Sequence, residues 1–209
     1  MLRTFLQKII QKITSTLGFT PAQEKDTEIA PTPDTQLDFL LQVLIATAES
    51  NGDAAVIHPL LAAHVDKLDI SFAQVLRNWA TGTLPDLETE TAQSIAGVIV
   101  NFSTRMWDFP LGNRAENLEI AITGYEIALT VFTRERFPID WAMTQNNLGL
   151  AYGDRIRGER AENLEVAIEC YTQALQERTR DRFPIDWAMT QNNLGIAYSH
   201  RIRGSVPRI

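Results

Sequence analysis

The chain repeats itself almost word for word. Residues 114–159 recur as residues 160–205, at an ungapped offset of 46 residues, and 33 of the 46 positions are identical. The stretch Phe137-Pro138-Ile139-Asp140-Trp141-Ala142-Met143-Thr144-Gln145-Asn146-Asn147-Leu148-Gly149 returns as Phe183 to Gly195, and Arg155-Ile156-Arg157-Gly158 returns as Arg201 to Gly204. A block duplicated in this way has to fold into a unit that packs against a neighbour of its own shape, because each copy brings the same apolar surface and needs the same cover.

Each copy reads as two helices. Leu118, Ala121, Ile122, Tyr125, Ala128 and Leu129 recur at steps of three and four, which predicts a helix from about Glu116 to Arg134 with one apolar face. Phe137-Pro138 interrupts it, since the residue before proline is driven out of helical geometry. A second helix is expected from Pro138 or Trp141, with Asp140 in its first turn, to about Ile156, and Gly158 is expected as its C-cap. Neither helix buries its stripe alone, so the predicted class is all-α.

One order continues upstream. Shifting the frame by 46 residues pairs Asn101 with Asn147, Asp108 with Asp154 and Gly112 with Gly158, and Ile95, Val98, Ile99, Phe102 and Met106 hold helical spacing from about Glu88 to Trp107. Residues 88–109 are therefore a diverged helix leading into the repeats 114–159 and 160–205. Residues 35–87 show three further helical patterns with no repeat frame: Leu37 to Leu44 ending at Asn51-Gly52, Val56 to Val65, and Phe72 to Trp79 with Ser71-x-x-Gln74 as a capping box. They read as a helical cap. Residues 20–34, with Pro21, Pro31 and Pro33, read as a flexible linker. Residues 1–19 read as an amphipathic helix whose apolar stripe runs through Leu2, Phe5, Leu6, Ile9, Ile13 and Leu17 beside Arg3, Lys8 and Lys12.

Differences between the copies also carry information. Ile120, Gly124, Ile127 and Val131 lie on one helical face, and their counterparts are Val166, Cys170, Gln173 and Glu177. The greasier first stripe is expected to sit under the upstream helices, and the second to meet water.

At the family level, Asn147-Leu148-Gly149-Leu150-Ala151-Tyr152 followed by Ala167-Ile168-x-x-Tyr171-x-x-Ala174-Leu175 resembles the tetratricopeptide repeat, with longer helices and turns that stretch the usual period of about 34 to 46 residues. The resemblance implies a right-handed α-solenoid of helical hairpins, the helices from Pro138 and Pro184 lining its inner face. It implies a non-enzymatic adaptor or scaffold that binds a peptide or protein segment there. The implied peptide-binding residues are Met143, Asn146, Asn147, Leu150, Asp154 and Arg157 of one inner helix and Met189, Asn192, Asn193, Ile196, His200 and Arg203 of the next. An asparagine before Leu-Gly suits this role because its amide both donates and accepts; the same amides equally suit bonds between neighbouring helices. The Phe-Pro-x-x-Trp-Ala and Arg-Ile-Arg-Gly signatures resemble bacterial arrays that precede caspase-like CHAT protease domains, so a sensor remnant of such a protease is an alternative. A scaffold held on a membrane surface by residues 2–17 is another.

Composition narrows the chemistry. Lys and Arg number 19 against 26 Asp and Glu, a formal charge of -7, which gives a phosphate backbone no overall reason to bind. No catalytic, cofactor or metal site is expected: His58, His64 and His200 have no ligand spacing, Cys170 has no basic neighbour, and phosphate loops and nucleophile elbows are absent. The single cysteine and the lack of an export signal suggest a cytoplasmic protein. The four arginines Arg155, Arg157, Arg201 and Arg203 suit the negative ends of their helices, or a basic rim for an acidic peptide. Trp141 and Trp187 are expected as core wedges. The last helix has no following outer helix to cover Ala188, Leu194, Ala197 and Tyr198: either the chain is a fragment of a longer array, or that face pairs with a second copy as a homodimer or with another partner, or it frays.

Overall fold

A computed structural model describes residues 35–205, with side chains to residue 201. The amphipathic segment 1–19, the linker 20–34 and the Arg203 side chain lie outside the described residues. Within them the chain is all-helical, without strands: α1 (Gln36–Ser50), α2 (Ala54–Ala62), α3 (Ile70–Thr83), α4 (Thr89–Asp108), α5 (Arg114–Val131), α6 (Pro138–Asp154), α7 (Arg160–Ala174) and α8 (Pro184–Ser205). None of these helices is long and apolar enough to cross a membrane.

The caps follow local chemistry. Thr35 and Asp38 form a reciprocal capping box at the start of α1, and Asn51 ends that helix in the left-handed region at φ 54°. At α3 the expected Ser71 box is not the cap. Asp69 takes the position, its carboxylate accepting from the Phe72 N–H at 3.0 Å, while Ser71 donates to Asp69 at 2.6 Å. A carboxylate just outside the first turn satisfies an orphan N–H that a serine already inside the helix cannot reach.

From α4 to α8 consecutive helices pack in chain order, and α4 and α8 also touch α6, giving stacked hairpins of the tetratricopeptide-like α-solenoid type; upstream, α1 touches α2, α3 and α4, and α3 lies on α5. The most extensive pairings are α4 with α5 and α6 with α7. The packing unit is thus displaced by one helix from the block 114–159 that a text comparison isolates, since a repeating string has no intrinsic starting point. The N-terminal helices join the stack through an aromatic chain, with Phe39 against Phe72 at 5.6 Å and Phe72 against Phe102 at 6.4 Å between ring centroids. One apolar core runs from α1 to α6 and takes in Cys170. A smaller one joins Leu164, Ala167, Ile168 and Tyr171 of α7 to Ala197 of α8.

The cap covers the α5 stripe as expected. Both α3 and α4 lie against α5, where Ile120 and Ile127 are buried. Gly124 permits the closest approach: a Cβ there would fall 2.0 Å from the Ser103 hydroxyl. The α7 stripe is a correction. Cys170 is buried and Val166 packs on the same core, while Glu177 bonds Arg134 at 2.7 Å. That stripe meets the preceding repeat instead of water, because α7 leans on its predecessors as α5 does on its own.

Gly158 is not the C-cap of α6, which ends at Asp154 with Arg155 extended (ψ 130°). It lies in the link to α7 at φ 77°, matching Gly112 at φ 78° before α5. Each link is tied by the same pair of donors. Asn117 donates to the Leu111 carbonyl and Asn163 to the Arg157 carbonyl, both at 2.8 Å, and Arg114 and Arg160 donate to the carbonyls of Trp107 and Gly153 at the ends of the preceding helices.

Candidate functional site

Helix α6 starts with Pro138 in its first turn, where the missing N–H costs no helical bond, and α8 starts with Pro184. From this shared start, Ile139, Met143, Asn147 and Leu150 fall on one face of α6 by their spacing, as do Ile185, Met189, Asn193 and Ile196 on α8. Because the two helices are copies in contact, their stripes run side by side. Ile139, Met143, Ile185, Met189 and Ile196 are exposed; Asn147, Asn193 and Leu150 are half-buried. Ile139 and Ile185 were missed by the sequence reading. They sit one turn before each methionine, and the signal was there: an isoleucine kept at a helix start in both copies.

The asparagines divide by neighbour. Asn146 is 4% exposed, and its Oδ1 accepts from Thr190 Oγ1 at 3.1 Å and from Asn193 Nδ2 at 3.3 Å, so it bonds α6 to α8. Its own amide donates to Asn147 Oδ1 at 3.3 Å. Asn146 is therefore a structural link, and the role in helix bonding applies to it. Asn192, the same residue one repeat later, is exposed. Asn147 and Asn193 keep partly open amides beside the methionines.

The charged members of the expected site are engaged. Asp154 accepts from Trp107 Nε1 at 3.1 Å and pairs with Arg114 at 3.5 Å. Arg157 pairs with Glu116. Arg155 grips Glu119 with two bonds of 2.8 Å, and that hydrogen bonding holds its guanidinium above its ordinary pKa. Arg201 repeats the arrangement on Glu165 at 3.1 Å. Arg155, Arg157 and Arg201 thus fasten the ends of α6 and α8 to the outer helix before each, and these pairs engage the guanidinium groups that the alternative of a basic rim would use. His200 is exposed, with Nδ1 3.5 Å from Arg160.

The remaining candidates for chemistry are structural in their surroundings. Burial pushes the Cys170 thiol up to about 12, with the charges of Glu169 and Glu126 adding to it. His58 bonds Asp108 at 2.9 Å and His64 stacks on Phe39 at 4.7 Å. Trp141 is buried and Trp187 half-buried, each beneath an arginine, Arg134 at 5.8 Å and Arg180 at 5.7 Å from the ring centre. Among the described residues no group of three His, Cys, Asp or Glu is placed to hold a metal ion.

Residues 141–181 match the tetratricopeptide repeat family model. The matched tetratricopeptide unit takes in most of α6 and all of α7, the same pairing that the packing picks out. No curated protein and no solved structure matches the chain. From Met143 onward the stripe on α6 lies within the matched segment, and the stripe on α8 repeats it 46 residues later in the sequence.

Proposed function

We propose that the protein is a non-enzymatic adaptor that binds a peptide or protein segment across the paired stripes of α6 and α8. Tetratricopeptide repeats generally mediate protein–protein interaction. The observation that carries the reading is the exposure of four large apolar side chains at equivalent positions of two adjoining helices, Ile139 and Met143 beside Ile185 and Met189, with the amides of Asn147 and Asn193 next in line. Exposed apolar side chains scattered singly are ordinary, but a contiguous set repeated at the period of the fold makes a surface. Methionine adapts its shape to a ligand, and the amides supply bonds to a peptide backbone. The engaged arginines leave the stripe itself uncharged, which favours an apolar or amphipathic segment over an acidic one.

The test is a comparative capture. The intact chain and the variant Met143→Glu with Met189→Glu are each used as bait in extract of the source cell. Polypeptides held by the first and lost by the second are ligands of the stripe, and both baits should melt alike because the two methionines are exposed. Identical capture by the two baits overturns the reading.

A further inference from the structure

Helix α1 begins on an apolar corner left open by the described residues. Gln36 Nε2 donates to the Lys67 carbonyl at 3.0 Å and to Asp69 Oδ1 at 2.9 Å, which holds the entry of the chain against the turn between α2 and α3. Val65 lies in that turn, two peptide units before Lys67 and so within about 8 Å of it. It leans over the α4–α5 link, where its Cγ2 would stand 2.8 Å from a Cβ on Gly112. Val65, Ile70 and Leu111 are 39%, 48% and 52% exposed. The same link holds a cavity of about 280 Å³, lined by Asp108, Phe109, Leu111 and Asn117 among others. Asn117 is fully buried and donates to the Leu111 carbonyl, yet its Oδ1 has no donor among the described residues. One period later, Asn163 Oδ1 lies 3.5 Å from the Arg155 guanidinium, and the counterpart of Arg155 upstream is Phe109. An orphan acceptor beside the Asp108 carboxylate suits a cationic donor supplied from elsewhere.

We propose that residues 2–17 of the same chain dock on this corner, with their apolar stripe against Val65, Ile70 and Leu111 and one of their cations in the cavity beside Asp108 and Asn117. The tether favours this occupant: as a flexible linker, residues 20–34 span about 20 Å on average, which returns the segment to the corner where the chain enters α1. Charge favours it as well. Residues 1–19 carry Arg3, Lys8 and Lys12 and no acid, whereas residues 35–201 carry 13 Lys and Arg against 22 Asp and Glu. Asp38, Asp66 and Asp69 stand with Lys67 around the entry, and Asp108 lines the cavity. Leu2, Phe5, Leu6, Ile9, Ile13 and Leu17 bring apolar cover on the same segment as the donors that the cavity suits. Joined to its seat, the segment acts at an effective concentration in the millimolar range, so a weak contact is enough to hold it. The corner is distinct from the stripe on α6 and α8 and does not rest on the adaptor reading.

Disulfide trapping in the intact chain tests the proposal. Ile9→Cys, in the middle of the apolar stripe, is combined in turn with Leu111→Cys, Gln74→Cys and Met189→Cys; the native Cys170 is buried. Gln74 is exposed on α3, about 8 Å along the helix from Asp69, so a segment that is tethered without docking reaches it too. Within one chain the Leu111 pair should close about tenfold faster than either of the others. Leu6→Gln with Ile13→Gln, which leaves the charge unchanged, should slow it to their rate, and so should Arg3→Glu with Lys8→Glu and Lys12→Glu. Equal rates at Leu111 and Gln74, faster closure at Met189, indifference to either set of substitutions, or a cross-link formed only between two chains would overturn the proposal. So would flotation of the chain with vesicles of phosphatidylserine and phosphatidylcholine that abolishes the cross-link, because the segment would then belong to a membrane surface.

Discussion

Helices α6 and α8 are built from nearly the same letters and live in different surroundings. Trp141 is 9% exposed, Ala142 1% and Leu148 6%, whereas Trp187 and Leu194 are half-buried and Ala188 is exposed. Both helices form, both start at a proline, and each has an arginine near its C-terminal end, Arg155 or Arg201, pinned to a glutamate of the helix before. The difference lies entirely in what covers them. A repeat sequence is thus a statement about one half of an interface, and the burial of a residue is set by whether the other half is present.

Twin substitutions turn that comparison into measurements. The largest gap is expected for leucine: Leu148→Ala should cost about 2–5 kcal/mol in denaturant unfolding, as for a core cavity, and Leu194→Ala well under half of that. Equal costs would show that α8 is covered in solution. Next comes glycine, where Gly149→Val drives a side chain into the Tyr171 ring and should cost about 1–3 kcal/mol, against no loss for Gly195→Val. For the amides, Asn146→Ala strips Thr190 and Asn193 of their acceptor and should cost about 1–2 kcal/mol by thermal melting, and Asn192→Ala next to nothing.

The arginine pair offers a smaller contrast. Arg155→Ala should destabilise by about 1–2 kcal/mol through loss of a two-bond grip on the partly buried Glu119, and Arg201→Ala by about 0–1 kcal/mol at its more exposed site. Salt should shrink the second effect more than the first. The smallest effect concerns Cys170. Its thiol is raised from 9.0 to about 12 in the fold, so the folded state disfavours the thiolate: its contribution is intact below pH about 9 and is lost as pH rises toward 12. Labelling by a thiol reagent at pH 8 should therefore be slow in native protein and fast in denaturant.

Much of the fold was legible before any coordinates. The repeat spacing gave the helices from Arg114 and Pro138, and the shifted frame found α4 upstream, because a stripe at three- and four-residue steps is a local signal that tertiary contacts reinforce. The candidate site was legible in part. Met143, Met189 and Ile196 are exposed where expected, while Asn146, Asp154 and Arg157 are spent on neighbouring helices. A polar residue on a predicted inner face looks the same whether its partner is a ligand or the next repeat. The cap at Asp69 and the true place of Gly158 were missed for a related reason: several adjacent residues are chemically able to cap, and only backbone geometry selects one.

The sequence by itself settled the helices, their proline starts and the fact of repetition, since periodicity, proline and glycine act within a few residues of themselves. The tertiary structure alone decided the packing unit, which asparagine is a bond and which is free, and which of two equal faces is covered. Those outcomes depend on side chains meeting across 40 or more residues of chain, as Asn146 meets Thr190, and a string of letters does not record which of its possible partners has arrived.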